Sequence, residues 1–357
     1  MKNILILSPH LDQSIAVARY LCKYGGNIEV HGGFLKGEGA KSLPFFKKTF
    51  HINDTHRLKE YNTVLPTGAK STHWLASVYG EFCVNGFAYN QNNLICFDKI
   101  GMLNIVQNMD IPVPKTFISI ESINYPFPVF YKPKYEKGSG NRGVAYSEKD
   151  LINIPELPEL FFQELIPGRS TYGVGYLAQK GKLITSFMHE ESLSFPIKGG
   201  SAVCIQKTKK PILLEYTNRI VQQLCLSGWG LTEFKYCPKR NQFVFMELNA
   251  KLWASIEFAF LNNNQFLKYL FDLDYPNQNV PSAVFLDRLL TLGIKETLHQ
   301  LTALCQGRVI VYQSCTGNLR RITFAMVPKF IKRFIRKILY HFKMFSLNWR
   351  KRSGRAV

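Results

Sequence analysis

Residues 132–143 read Lys132-Pro133-Lys134-Tyr135-Glu136-Lys137-Gly138-Ser139-Gly140-Asn141-Arg142-Gly143, a lysine followed by a glycine-rich loop. The residues on either side, 129–132 and 144–146, are strand-like, so we predict a β-hairpin and not the strand-to-helix turn of a dinucleotide-binding loop. Backbone N–H groups of a flexible glycine loop can fold over phosphate groups. A protein kinase would place its lysine after the loop and carry His-Arg-Asp and Asp-Phe-Gly motifs, which this chain lacks. The alternative is an ordinary glycine-rich hairpin.

Two acidic residues lie on another predicted pair of strands, at residues 231–236 and 242–247. Glu233 is on the first strand, and Glu247 is followed two residues later by Asn249. Because side chains alternate along a strand, Glu247 and Asn249 point to one face, and Glu233 can face them across the pair. Oxygen ligands of this kind suit Mg²⁺, which is normally shared with substrate phosphates. The alternative is a solvated pair of acids at a sheet edge.

An apolar strand predicted at residues 160–164 ends in a turn at Ile166-Pro167-Gly168. A planar purine could stack against Leu165 and Ile166 while backbone groups bind its edge. Taken alone, the segment is better explained as a plain buried strand.

These features follow one another along the chain in a fixed order. Two lysines come first, then the glycine loop, the apolar strand, one acidic residue, and a second acidic residue followed two positions later by an amide. This order resembles the ATP-grasp superfamily, and more closely its carboxylate–amine ligase branch, which includes the carbamoyl-phosphate-synthase-like proteins. The resemblance covers residues 98–260. Asp98-Lys99 matches the family's Asp-Lys opening, and Ile111-Pro112-Val113-Pro114 matches its Ile-Pro-x-Pro.

The resemblance implies a role for each matching residue. ATP would be bound by two lysines, the glycine loop and a hinge in which the backbone of Glu164 and Ile166 reads the base: Lys99, Lys132, Gly138, Ser139, Gly140, Gly143, Gln163, Glu164, Leu165 and Ile166. Mg²⁺, or Mn²⁺ as an alternative, would be held by Glu233, Glu247 and Asn249. The catalytic cations would be Lys132 and Lys251, and Gly199-Gly200-Ser201 resembles the family's loop near the acyl substrate.

Two positions depart from the family's pattern. The family usually has an arginine two residues after the metal-binding asparagine, where this chain has Lys251, which keeps the charge but loses the planar two-pronged contact. Many members have a ribose-binding acid two residues after the hinge glycine, where this chain has Ser170. Both departures bear on catalysis more than on nucleotide binding itself.

We therefore predict a mixed α/β (α+β) ATP-grasp architecture in which two lobes clamp ATP. The predicted divisions are a leading Rossmann-like lobe at 1–95, an N-lobe with the glycine loop at 96–166, a C-lobe with the metal site at 167–275, an α/β appendage at 276–325 and a basic tail at 326–357. The leading lobe is predicted from strand, helix and strand at 3–7, 14–24 and 28–30. No Gly-x-Gly-x-x-Gly follows its first strand, which argues against an NAD site.

The positive charge of the chain is concentrated at its end. The formal net charge is +20, and residues 329–355 contribute ten Lys or Arg and no acid. Apolar residues recur there with helical spacing opposite the cations, which predicts an amphipathic helix suited to an anionic membrane surface through residues 328–352. A helix packed on this protein or a partner is the alternative. Nucleic acid is the least favoured partner because no binding motif is present.

Cellular location and cysteine chemistry are predicted from what the sequence lacks. The N-terminus has no secretory layout and no segment reaches the ~20 apolar residues of a membrane span, so we expect a cytoplasmic protein, with the tail allowing peripheral attachment to the inner face of a membrane. The eight cysteines have no metal or redox spacing, and we expect reduced, mostly buried thiols.

Three functions fit these patterns. The first is an ATP-dependent ligase that activates a small carboxylate as an acyl phosphate and couples it to an amine. The second is a nucleotide-binding regulatory or scaffold protein at a membrane surface without ligase turnover. The third is a small-molecule kinase. His189 could deprotonate the amine, although a hydrogen-bonded structural histidine is the simpler interpretation.

Overall fold

A computed structural model of the 357-residue chain describes residues 2–138, 140–152, 154–155, 157–195, 200–285, 288 and 310–312. The predicted basic tail at 326–357 and most of the predicted appendage at 276–325 lie outside these residues. The membrane-binding helix and the division of the chain into domains therefore stay predictions.

The leading lobe is a four-stranded parallel sheet with the strand order β3-β2-β1-β4. Its elements are β1 (Lys2–Leu7), α1 (Asp12–Tyr24), β2 (Ile28–Phe34), β3 (Lys48–His51), β4 (Thr63–Pro66) and α2 (Ala69–Tyr79). The apolar run of β1 lies at the centre of the sheet and is buried from Ile4 onward, as expected for a strand covered on both faces. The predicted strand–helix–strand unit is confirmed, while β3 and α2 were not predicted from the sequence.

A connecting region leads to the nucleotide-binding lobes. It contains the hairpin β5 (Phe82–Val84) and β6 (Phe87–Tyr89), then α3 (Gln91–Ile95) and α4 (Lys99–Gln107). Asp98 begins α4 as its N-cap, because its carboxylate accepts the N–H groups of Ile100 and Gly101 at 3.2 and 3.0 Å. The helix ends at Gln107, and Asp110 then adopts a positive φ of 55° ahead of Pro112.

The N-lobe sheet carries the glycine loop between two antiparallel strands. Its order is β7-β10-β8-β9, with β7 (Thr116–Phe117), β8 (Val129–Pro133), β9 (Gly143–Ala145) and β10 (Leu160–Glu164); the short α5 (Glu148–Leu151) follows β9. Strands β8 and β9 pair antiparallel, which confirms the hairpin predicted around residues 132–143.

The C-lobe is a larger sheet that supports the predicted metal ligands. Its order is β15-β14-β11-β12-β13-β16-β17, with β11 (Thr171–Gln179), β12 (Lys182–Phe195), β13 (Ser201–Lys207), β14 (Gly228–Cys237), β15 (Gln242–Asn249), β16 (Ser282–Phe285) and β17 (Ile310–Tyr312). All neighbours are antiparallel except the pair β16 and β17. Strand β16, although within the predicted appendage, pairs with β13 and so extends the C-lobe sheet.

Three helices cover the C-lobe: α6 (Pro211–Gln223), α7 (Ile256–Asn262) and α8 (Gln265–Phe271). Helix α7 follows Trp253, whose ring lies across β11 next to Gly175, where an added Cβ atom would be 2.3 Å from the ring. Helix α1 packs on α7: Tyr20 contacts Phe260 edge-on with ring centroids 5.4 Å apart, and Arg19 forms a buried ion pair with Glu257. The leading lobe and the C-lobe therefore share one hydrophobic core.

Two of the general predictions can be checked on the described residues. No helix among them is both long and apolar enough to span a bilayer. The six cysteines within the described part form no disulfide, as predicted, but only Cys96, Cys204 and Cys237 are buried, whereas Cys22, Cys83 and Cys225 are exposed.

Candidate active site

The predicted lysines and acids meet where the N-lobe sheet faces β15 of the C-lobe. Lys132 reaches from β8 to the carbonyl oxygen of Met246 at 3.0 Å and to the Glu247 carboxylate at 3.4 Å. Lys99, at the first turn of α4, lies 3.2 Å from the same carboxylate. Both lysine side chains are buried, and each is held by contacts to residues more than 100 positions away in the chain.

Glu136 is a site residue that the motif comparison did not identify. Its carboxylate bridges Lys99 at 2.9 Å and Lys251 at 2.9 Å, and it also accepts the N–H group of Gly138 at 3.0 Å. Its backbone N–H donates to the Phe97 carbonyl oxygen at 2.9 Å, which ties the loop to the start of α4. Glu136 therefore links Lys99 and Lys251 to the glycine loop.

Opposite charges at this site shift the pKa values of their partners. Burial alone would raise the pKa of Glu247, but the ammonium groups of Lys99 and Lys132 hold it well below its usual range. Burial also opposes ionisation of Glu136, yet Lys99 and Lys251 lower its pKa to about 2. Burial lowers the pKa of Lys132, whereas the pKa of Lys99 is raised because Glu247 and Glu136 outweigh its burial. Glu247 and Glu136 are thus ionised at neutral pH.

Glu233 pairs directly with Glu247 across β14 and β15, as predicted from strand alternation. The amide of Asn249 donates to the other Glu247 oxygen at 3.0 Å, so all three predicted metal ligands lie together. Burial, together with the neighbouring charges of Glu247 and Glu191, raises the pKa of Glu233 well above its usual range. Two adjacent buried carboxylates disfavour being ionised together, so a cation bound between them would favour the ionised form of Glu233.

The glycine loop has a backbone that side chains would obstruct. Gly138 has a φ of +82°, and Gly140 has a φ of +146° with Pro133 so close that a Cβ atom would be 2.3 Å from its ring. At Gly143 an added Cβ atom would be 2.6 Å from the Tyr131 hydroxyl oxygen. Ser139 lies outside the described residues. Arg142, also missed as a site residue, extends its positive charge to Glu247 and thereby helps to lower the pKa of that carboxyl.

The predicted hinge is fixed by its buried polar side chains. The Glu164 carboxylate is buried, pairs with Arg240 and accepts the Lys115 N–H at 3.0 Å, while its own backbone N–H donates to the Lys115 carbonyl oxygen at 2.9 Å. Any base contact from the backbone of Glu164 must therefore use its carbonyl oxygen. Gln163 donates to the Thr116 hydroxyl at 3.2 Å.

The remaining two hinge residues are apolar. Ile166 is buried against Cys237, Val244 and Met246, and Leu165 is half-buried. The strand that leads into the turn is thus both a sheet strand and a rigid support for the turn.

Comparison with solved structures gives consistent matches over most of this architecture. Staphylococcus aureus N5-carboxyaminoimidazole synthetase complexed with ADP matches with a TM-score of 0.59 and 13% identity, covering 84% of this chain and 86% of that one. Bacillus licheniformis L-amino acid ligase matches with a TM-score of 0.54 and 14% identity, over 73% and 70% of the two chains. Rhizobium etli pyruvate carboxylase matches with a TM-score of 0.57 and 12% identity.

The chain has the ATP-grasp fold. It spans 29% of the length of the pyruvate carboxylase, although that match covers 79% of this chain. By sequence, no family model matches, and no curated protein matches either. The similarity therefore establishes the fold predicted from the motifs, and the chemistry has to be argued from the site.

Within the ATP-grasp fold, the two departures from the family pattern have clear structural settings. Lys251 occupies the position usually held by arginine, and its ammonium group pairs with Glu136 in this structure. Ser170 donates to the Glu190 carboxylate at 2.6 Å, and Glu190 also accepts from Gln206 at 3.0 Å. Glu190 neighbours His189 and Glu191 on β12, so it lies on the opposite sheet face to them.

His189 is buried but is not the hydrogen-bonded structural histidine that the simpler interpretation expects. Among the described residues its Nε2 atom has no hydrogen-bond partner, and the nearest carboxylate oxygen, from Glu191, is 3.7 Å away. The ring lies over Gly173, where an added Cβ atom would be 2.6 Å from its Cε1 atom. Because Gly173 pairs with Glu233 on its other side, the imidazole lies beside the predicted metal ligands.

The residues present fit a divalent cation that is shared with a ligand. The described residues contain no group of three His, Cys, Asp or Glu that could bind a metal alone. Two carboxylates and an amide form an incomplete ligand set of the type that Mg²⁺ completes with phosphate oxygens and water. The part of the Gly199-Gly200-Ser201 loop that can be assigned begins at Gly200 and leads into β13.

Proposed function

We propose that this chain is an ATP-dependent ligase that phosphorylates a carboxylate substrate and couples the acyl phosphate to an amine. The observation that carries the proposal is the convergence of Lys99, Lys132 and Lys251 on two buried carboxylates beneath a glycine loop. Three ammonium groups within one buried cluster suit a triphosphate better than any neutral ligand. The similar structures described above are a synthetase, a ligase and a carboxylase, and the synthetase holds ADP.

In this proposal the adenine base lies against the hinge at residues 163–166, and the triphosphate extends toward Lys99 and Lys132. The loop at residues 138–143 covers the phosphates with its N–H groups, and Arg142 adds a positive charge from above. Glu233, Glu247 and Asn249 would hold Mg²⁺, with Mn²⁺ as an alternative. When bound, the cation would neutralise negative charge on the phosphates.

The chemistry needs positioning more than reactive side chains. A carboxylate oxygen of the substrate attacks the γ-phosphorus; an O–P bond forms, and the bond to the ADP oxygen breaks with its electron pair. Lys132 and Lys251 stabilise the negative charge on the transferred group. The amine nitrogen then attacks the acyl carbon, phosphate leaves with its electron pair, and the nitrogen loses a proton. A closed glycine loop would exclude water from the acyl phosphate.

Positional isotope exchange tests this proposal. ATP carrying ¹⁸O in the β,γ-bridge is incubated with the protein, Mg²⁺ and a panel of amino acids and other small carboxylic acids, without any amine. Reversible acyl phosphate formation scrambles the label only in the presence of a carboxylate that binds. We expect scrambling with one chemical class of acid, together with ADP release when an amine panel is added. If no acid in the panel causes scrambling although the protein binds Mg-ATP normally, the ligase proposal is contradicted.

One observation favours a second function, a nucleotide-binding protein without turnover. Lys251 is neutralised by Glu136, and this pair has to open before the ammonium group can contact a phosphoryl group. The Lys251→Arg variant separates the two functions. In a working ligase it changes turnover within about tenfold, whereas a protein without turnover stays inactive while binding Mg-ATP unchanged. Phosphorylated product without amine coupling would instead indicate the kinase alternative.

A further inference from the structure

Four side chains on the site face of the C-lobe sheet include two that no role above uses. Glu233 and Lys235 lie two residues apart on β14, and His189 and Glu191 lie two residues apart on β12, so each pair shares a face. Gly173 of β11 pairs with both His189 and Glu233, which places all four on the same face of the sheet. Lys235 and Glu191 have no assigned function.

Glu191 and Lys235 lie nearer to the hinge than the predicted metal ligands do. Lys235 donates to the carbonyl oxygen of Gly168, the hinge glycine, at 3.3 Å. Glu191 pairs with Thr171, the first residue of β11 and three residues beyond that glycine. A two-residue step along a strand is about 6.6 Å, so the Glu191 and Lys235 positions fall between the hinge and Glu233.

Both charged groups act on the site and are shielded from solvent. The Glu191 side chain is 14% exposed. Its charge helps to raise the pKa of Glu233, and burial lowers the pKa of Lys235, which Glu191 partly offsets. A carboxylate and an ammonium group thus lie between the base end and the phosphate end of the proposed ATP site.

We propose that Glu191, assisted by Lys235, is the ribose-binding residue of this site, in place of the acid that Ser170 lacks. A carboxylate accepts hydrogen bonds from the 2′- and 3′-hydroxyl groups of a ribose, the contact used by many nucleotide-binding proteins. The inference rests on the proposed ATP site, because the ribose of ATP must lie between its base and its phosphates.

Ser170 cannot perform this role in the structure. Its hydroxyl donates to Glu190, and Glu190 is one residue from Glu191 on β12, so the two carboxylates lie on opposite faces. The alternation also provides a matched control, because Glu190→Gln and Glu191→Gln make the same chemical change at adjacent positions and only one of them faces the site.

Calorimetric titration with Mg-ATP, Mg-2′-deoxyATP and Mg-2′,3′-dideoxyATP tests the inference. We expect the wild-type protein to bind the dideoxy nucleotide about 10- to 100-fold more weakly than ATP, the range for hydrogen bonds to a charged group. Glu191→Gln should weaken ATP binding by about tenfold and reduce the ratio between ATP and the dideoxy nucleotide to less than about threefold. Glu190→Gln and Ser170→Ala should leave that ratio unchanged.

The possible outcomes separate this inference from the proposed function. No binding of any nucleotide overturns both. Equal wild-type affinity for ATP and dideoxyATP overturns the ribose assignment alone and needs no variant. A wild-type ratio that survives in Glu191→Gln, or is lost equally in Glu190→Gln, assigns the hydroxyl contact elsewhere and overturns the role of Glu191. Thermal unfolding of each variant without nucleotide identifies loss caused by misfolding, and Glu191→Asp then provides a second variant that keeps the charge.

Discussion

Replacing Glu247 with glutamine should reduce the strengthening effect of Mg²⁺ on ATP binding. In the structure one oxygen of this carboxylate lies 3.2 Å from Lys99 and 3.4 Å from Lys132. Lys99 keeps Glu136 as a partner in the variant, but Lys132 loses its carboxylate partner and keeps the Met246 carbonyl and the Phe161 ring as contacts. Breaking a buried ion pair costs about 3–5 kcal/mol, and we take the lower end because Lys99 stays paired.

Two measurements follow from this geometry. Urea unfolding without nucleotide should show Glu247→Gln to be about 3 kcal/mol less stable than wild type. Calorimetry should show that wild-type protein binds ATP more tightly with Mg²⁺ than in EDTA, because the carboxylates repel bare phosphates. In the variant that repulsion is absent and both lysines can pair with phosphate, so ATP in EDTA should bind at least as tightly as it binds to wild type.

The control is Glu215→Gln, which removes an acid from the exposed face of α6 and should change neither quantity. If Mg²⁺ strengthens ATP binding equally in wild type and Glu247→Gln, the metal site is not at Glu247 and the reasoning is refuted. An unchanged stability of Glu247→Gln would show that Lys99 and Lys132 do not depend on this carboxylate in the absence of nucleotide.

Three other predictions concern neighbouring residues. The pKa of Glu233 is higher in the folded chain than in the unfolded one, so Mg-ATP binding should release a proton from this carboxyl group. Calorimetry in buffers of different ionisation enthalpy should detect the proton in wild type but not in Glu233→Gln. The stability of the wild type should also fall as the pH rises from the usual pKa range of a glutamate toward the higher pKa of folded Glu233. Lys251→Met should lower the rate of ADP release at least about 100-fold while changing the Kd of Mg-ATP less than about threefold, because Lys251 acts on the transferred group. Gly175→Ala should lower the free energy of unfolding by about 1–3 kcal/mol, because its Cβ atom would meet the Trp253 ring at 2.3 Å, and Trp253→Leu in the same chain should restore part of the loss in urea unfolding.

The sequence was most informative where one residue type is required at one position. Lys99, Lys132, Glu247 and Asn249 were predicted from motifs as phosphate and metal ligands, and the structure brings their side chains into one cluster. Strand alternation predicted that Glu247 and Asn249 share a face, and the structure brings them to 3.0 Å. The hairpin around the glycine loop was predictable for the same reason, since its glycines include positions that a side chain would obstruct.

Residues whose role depends on distant contacts were not predictable in this way. Glu136 lies within the quoted loop, yet its function comes from Lys99 and Lys251, which are 37 residues before it and 115 after it. The sheet face on which the Ser170 side chain lies was equally unpredictable, because it depends on the register between β11 and β12 and not on the local sequence. The one signal that could have indicated Glu136 is that an acidic residue within the stretch 132–143 is a candidate ion-pair partner for the motif lysines.

The paired charges explain why a lysine can serve where the family usually has arginine. Before ATP binds, every ammonium group in the cluster has a carboxylate partner, and this pairing offsets part of the cost of burying its charge. Mg-ATP can exchange these partners, because its phosphates can take the lysines while the cation takes Glu247 and Glu233. Such an exchange requires a positively charged side chain that can turn from Glu136 to a phosphoryl oxygen. A flexible lysine ammonium group does this more readily than an arginine guanidinium held by two parallel hydrogen bonds. Lys251 is therefore consistent with catalysis in a site whose own acids pair with its lysines until the nucleotide arrives.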